Sequence, residues 1–161
     1  MKASFAYDAD YDPAAPVMVI GLGPSGAELP RQVLTAFVDT GADATMIPAP
    51  LLAEAGCRYV EQRRLRGILG EARVVNLYLA SVHIAGVVIH GIRAVAARDT
   101  TEAILGRDVL NQLEIVLNGP AQELWLPQFL PQKSTVLDGS RRRYRRAALF
   151  VHSADDHQRR R

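Results

Sequence analysis

The segment Ala36-Phe37-Val38-Asp39-Thr40-Gly41-Ala42-Asp43-Ala44-Thr45 decides how this chain is read. An apolar run, Gln32 to Val38, ends in a carboxylate, which is followed by a hydroxyl, a glycine and a small residue. Apolar neighbours limit the hydration of Asp39, so its ionisation becomes sensitive to any nearby charge. Gly41 has no Cβ and lets another backbone approach closely. Thr40 offers one hydroxyl, able to donate or accept, to hold the loop. Taken alone, Asp-Thr-Gly is equally a turn or a calcium-binding aspartate, so its meaning depends on what surrounds it.

Upstream, Val17 to Leu22 is a short apolar run that reads as a strand, and Gly23-Pro24-Ser25-Gly26 is turn material. With Gln32 to Val38 it predicts a hairpin with a longish loop. The same glycines, Gly21, Gly23 and Gly26, have the spacing of a dinucleotide-binding loop, with Asp39 downstream near the place of a ribose-binding acid. That reading requires the glycines to open a helix facing the pyrophosphate. Pro30 interrupts such a helix after about one turn, and the next strand begins before a crossover has room to form. A glycine-rich hairpin loop is the better reading.

Downstream, Pro48 to Ala55 predicts a short helix stopped by Gly56. Apolar stretches within Arg63 to Ala80 flank Gly67-Ile68-Leu69-Gly70 and predict a hairpin with a glycine-flanked tip. Val82-His83-Ile84 and Val87 to Ala96 read as two more strands around Gly86 and Gly91. Ala103-Ile104-Leu105-Gly106 is a strand ending in glycine, and Arg107 to Leu113 a short helix. Glu114 to Asn118 and Glu123 to Leu126 form a last hairpin across Asn118-Gly119-Pro120. Many short strands and two brief helices mean a mostly β domain, a sandwich or small closed barrel. His83 and His90 have no ligand partners in the pattern and read as surface or hydrogen-bonded histidines.

Three of these motifs, FVDTGAD, RGILGE and AILGRDVL, stand in that order over roughly Val17 to Leu126, and together they resemble the retropepsin-like aspartic proteases, the single-domain relatives of retroviral protease. The resemblance implies the retropepsin-like acid protease fold. It implies that Asp39 is catalytic and that Thr40 hydrogen-bonds across a subunit interface. Gly41 and Ala42 would line the floor beside the substrate backbone. Asp43 would pair with Arg107, which a guanidinium fork suits independently. Gly67, Ile68, Leu69 and Gly70 would form the flap tip, and Ile104 and Leu105 the pocket wall beneath Asp39. Leu69 at the tip departs from the glycine-rich viral flaps. No metal or cofactor is implied.

Aspartic proteolysis uses two carboxylates around one water, and the chain carries one Asp-Thr-Gly. The second carboxylate then comes from another copy, which predicts a C2 homodimer acting on a protein or peptide substrate. The alternative function is a catalytically silent dimerisation or peptide-binding module of the same fold; an intact Asp-Thr-Gly favours the enzyme.

Composition agrees with one globular domain: 161 residues, 48% hydrophobic and 22% charged. No apolar run approaches the ~20 residues that cross a bilayer. The chain divides into an N-terminal arm, 1–16, a protease domain, 17–131, and a basic C-terminal tail, 132–161. Up to Pro131 there are ten basic and fourteen acidic residues; from Gln132 onward nine basic and three acidic. The run Arg141-Arg142-Arg143-Tyr144-Arg145-Arg146 has the chemistry of a nucleic-acid contact, but such runs are more often solvated tails, so nucleic acid is not an expected partner. No secretory signal is read in MKASFAYDADYDP, and Cys57 is the sole cysteine; the expectation is a cytoplasmic protein without a disulfide.

Overall fold

In a computed structural model of the chain, residues 3–66 and 70–127 are described. They form ten strands and two short helices: β1 (Ala3–Ala6), β2 (Val17–Pro24), β3 (Gln32–Val38), β4 (Met46–Pro48), α1 (Ala49–Glu54), β5 (Arg58–Arg66), β6 (Ala72–Ile84), β7 (Val87–Ala97), β8 (Ala103–Leu105), α2 (Arg107–Leu110), β9 (Val116–Asn118) and β10 (Glu123–Leu126).

Seven strands make one sheet in the order β2-β3-β8-β4-β7-β6-β5, and β2 also pairs with β6. That second pairing, Gly21 opposite His83 through Pro24 opposite Ala80, closes six of the strands into a barrel and leaves β5 as an outer strand on β6. Closure removes sheet edges. It also accounts for the glycines of β2. Gly21 lies within the ladder, paired with Val33 on one side and His83 on the other. A Cβ there would meet Pro30 Cβ at 2.5 Å. The Gly21–Gly26 motif is therefore a strand running into a hairpin turn between antiparallel β2 and β3, not the mouth of a helix.

The barrel interior is filled by Met18, Ile20 and Leu22 of β2, Ala36 and Val38 of β3, Ile47 of β4, Val82 and Ile84 of β6, and Ala103 and Leu105 of β8. Leu52 of α1, Val109 and Leu110 of α2, and Leu124 and Leu126 of β10 seal it. Alternate side chains along β3 and β8 point inward, as a pleated strand with one buried face requires.

Several elements differ from the sequence expectation: β4 has no counterpart in it, and β5 begins at Arg58, ahead of the Arg63 at which the sequence reading starts the hairpin. The segment read as a loose arm carries β1, which pairs with β10 from Ala3–Leu126 to Ala6–Glu123. Alternation in ASFA is too short to separate a strand from an arm without seeing its partner. Val82–Ile84 is not a separate strand but the end of β6, which passes a register shift between Ala80 and Val82. A bulge lets one strand continue where the apolar pattern slips by one. The helix read over Arg107–Leu113 is α2, ending at Leu110. The tail at 132–161 lies outside the described residues.

Leu105 is fully buried where β8 passes between β3 and β4. Leu105→Ala should cost about 2–5 kcal/mol, read as a lowered midpoint in urea unfolding with an unchanged slope.

Candidate active site

The site is built by one chain path. β3 and β8 are parallel, with Ala36 opposite Ala103, Phe37 opposite Ile104 and Val38 opposite Leu105. After Val38 the chain arches over the end of β8 and returns on its other side as β4, where Met46 faces Ile104 in the opposite sense. The arch is residues 39–45, and it carries Asp39, Thr40, Gly41, Ala42 and Asp43.

Hydrogen bonds lace the arch to the strand beneath. The Asp39 amide donates to the Leu105 carbonyl at 3.1 Å, and the Arg107 amide donates to the Ala42 carbonyl at 2.9 Å. Thr45 is fully buried. Its amide and hydroxyl both donate to Asp108 Oδ1, at 2.9 and 2.7 Å. The same hydroxyl oxygen accepts from the Gly106 amide at 3.1 Å. Gly106 passes so close under the arch that an added Cβ would lie 2.4 Å from the carbonyl carbon of Ala44. Its backbone is extended, so the requirement is for space and not for an unusual dihedral.

The Asp39 carboxylate is half-buried. Its Oδ1 accepts from the Gly41 amide at 2.8 Å and the Ala42 amide at 3.2 Å. Thr40 and Gly41 beside it are exposed. Asp43 and Arg107 form an ion pair between arch and helix. Ile104 is half-buried on the opposite face from the core. Leu105 does not line a pocket: its side chain is fully inside the barrel, because alternation along β8 turns it inward, and it serves the site through its carbonyl. Of the flap residues, Gly67, Ile68 and Leu69 lie outside the described residues. Gly70 is exposed with φ of 88°, a left-handed value suited to glycine.

Two residues of the lacing, Thr45 and Asp108, carry no assigned role in the sequence reading. The signal is present: a hydroxyl stands two residues past Asp43 and a carboxylate one residue past Arg107. Spacing alone does not show that they meet. Asp108 Oδ1 accepts a third bond, from the Val109 amide at 3.0 Å. Burial lifts its carboxyl above the ordinary value, and the bonds from Thr45 and Val109 pull in the other direction without overcoming it. A second polar cluster pins the β2–β3 turn: buried Ser81 donates to the Pro24 carbonyl at 3.0 Å and sits 2.7 Å from His90 Nδ1. His83 Nε2 is buried without a hydrogen-bond partner among the described residues.

An open cavity of about 1050 Å³ lies beside the arch, between the β5–β6 hairpin, β7 and α2. Asp43, Ala44, Arg63, Leu65, Leu77 and Arg107 are among its walls; Asp39 is not. Among the described residues no group of three or more His, Cys, Asp and Glu is placed to hold a metal ion. Nor is any helix there long and apolar enough to cross a membrane.

Residues 27–112 match the model of the family described as gag-polyprotein putative aspartyl protease. The fold is similar to the crystal structure of a retropepsin-like aspartic protease from Rickettsia conorii, with a TM-score of 0.55 and 16% identity over 78% of this chain and 90% of that one. No curated protein sequence matches the chain.

Two outcomes test the lacing. Gly106→Ala should cost about 3 kcal/mol, the upper end for overpacking, because backbone and not a mobile side chain blocks the added methyl; thermal unfolding reads it. Asp108 has a raised folded pKa, so its contribution favours the fold at low pH and is lost as pH rises through the folded value. Asp108→Asn removes that dependence. The stability difference between wild type and variant should shift toward wild type as pH falls across a window reaching just above the ordinary carboxylate range. Urea unfolding at a series of pH values checks the sign.

Proposed function

This chain belongs to the gag-polyprotein putative aspartyl protease family, and we propose that it is an aspartic endopeptidase whose catalytic pair is Asp39 with Asp39 of a second copy in a C2 homodimer. The observation that carries the proposal is the setting of Asp39. A rigid arch presents one carboxylate at the barrel surface, held only by amides of its own loop among the described residues, with exposed Thr40 and Gly41 beside it.

Two carboxylates a few ångströms apart resist double ionisation and share a proton, titrating as a pair. The ionised member takes a proton from water, and the water oxygen attacks the scissile carbonyl carbon. The protonated member hydrogen-bonds the carbonyl oxygen, then supplies a proton to the leaving nitrogen as the C–N bond breaks. No acyl-enzyme forms. The Gly41 and Ala42 amides orient Asp39 Oδ1 through both steps. Thr40, exposed at the tip of the arch, meets its counterpart across the axis. Asp43 and Arg107 hold the far side of the arch. The hairpin of β5 and β6 covers an extended peptide that pairs with its strands, and closure excludes water.

Asp39→Asn should lower peptide hydrolysis by about 10²–10⁴-fold while leaving the folded dimer intact. A peptide-library cleavage assay run beside sedimentation at micromolar protein checks both halves. Undiminished cleavage by the variant, or a strictly monomeric wild type that still cleaves, overturns the proposal.

A further inference from the structure

The face that carries Asp39 holds, beside Ile104 of the expected pocket wall, the side chains of Tyr11, Phe37 and Glu102, to which the resemblance assigns no role. Ala36, Val38, Ala103 and Leu105 are buried in the barrel, so Phe37 and Ile104, opposite one another in register, stand on the outer face. Alternation continued past the end of β3 puts Asp39 on that face too. The N-terminal segment crosses here. The Tyr11 ring packs edge-on against Phe37, 5.7 Å between centroids at 60°. The Tyr11 hydroxyl donates to Glu102 Oε1 at 2.6 Å. Glu102 immediately precedes β8 and is exposed. The bond to Glu102 lifts the Tyr11 phenol above its ordinary value, with burial and the charges of Glu102, Asp8 and Asp10 acting in the same direction. The patch is thus apolar at its base and negative at its rim.

We propose that Tyr11, Phe37, Ile104 and Glu102 line the subsite for a substrate side chain beside the scissile bond, and that Glu102 selects lysine or arginine there. The inference rests on the endopeptidase reading and adds the chemistry of the substrate. Lysine and arginine lay an aliphatic stem along apolar surface and keep the charge at its edge. The rings of Phe37 and Tyr11 suit the stem and attract a cation over their faces. A carboxylate accepts about four hydrogen bonds, and Tyr11 takes one while fixing where the others point. An acidic side chain in the same place meets a like charge.

The test uses the full chain and paired peptides identical except for arginine, lysine, norleucine or glutamate at the residue flanking the cleaved bond. Wild type should show kcat/KM about tenfold higher for arginine or lysine than for norleucine, the combined effect of one ion pair and one cation–π contact, and lowest for glutamate. Glu102→Gln should bring the ratio to within about twofold of unity, Glu102→Asp should retain part of it, and Glu102→Lys should reverse it toward glutamate. A wild-type ratio near one, or a ratio that Glu102→Gln leaves in place, overturns the subsite. So does a loss in Glu102→Gln that is equal for all peptides and tracks dissociation of the dimer by sedimentation, which assigns Glu102 to the contact between copies. Absence of any Asp39-dependent cleavage of any peptide is a different result: it removes the endopeptidase reading itself.

Discussion

The structure depends on one constraint: residues 39–45 must cross the end of β8 at backbone contact distance and stay there. The strand order makes this necessary. β8 lies between β3 and β4, yet β3 and β4 are consecutive in sequence, so the connection has to pass over the strand between them. A crossing that tight places polar backbone in a buried position, where each donor and acceptor needs a partner. Leu105 and Arg107 backbone groups satisfy Asp39 and Ala42, and the Asp108 carboxylate satisfies Thr45. Gly106 is the residue without which the layers do not fit.

That arrangement separates two carboxylates by environment. Asp108 accepts three hydrogen bonds on one oxygen and lies inward of the arch; Asp39 accepts two on one oxygen and lies at its outer edge. The inner acid fixes geometry, and its protonation is felt as stability. The outer acid is left at a surface with small residues around it. On the proposed reading this division lets a half-buried reactive group reach the surface without being loose. The backbone carrying it is over-determined by bonds that do not involve its side chain. Rigid presentation is also what a symmetric pair requires, since any freedom in one arch would be doubled at the axis.

Most of this was legible in the chain. Glycine positions marked the turns, and apolar runs ending at Val38 and Leu105 marked the two strands that meet under the site. The pair Asp43 and Arg107 was readable only through the resemblance of the two motifs that carry it, with which a guanidinium fork facing a carboxylate is compatible. What stayed hidden was contact across long sequence separation. The pairing of Ala3–Ala6 with Glu123–Leu126 joins the two ends of the described chain, and four residues carry no pattern that announces a partner more than a hundred positions away. The inward turn of Leu105 follows from strand alternation, but only once Ile104 is known to face outward. In the sequence Thr45 is a hydroxyl with no assigned role. Its role becomes visible only when Asp108 is placed beneath it.

Tyr11 shows the same limit at the surface. As sequence it is one aromatic in a polar, proline-punctuated opening. In the fold, β1 anchors one end of that opening on β10, and the Asp8–Ala15 bridge with hydrogen bonds of 2.8 and 3.0 Å closes it into a loop. The Val38 amide donates to the Pro16 carbonyl at 2.9 Å, so the segment is tied to the last residue before Asp39. A loop fastened at both ends and lying on Phe37 adds wall to a site whose floor is strand. Loops held by a rigid frame are where specificity tends to reside. On the proposed reading the frame supplies the carboxylate of Asp39, and the fastened loop, through Tyr11, holds the Glu102 carboxylate that would distinguish one neighbouring side chain from another.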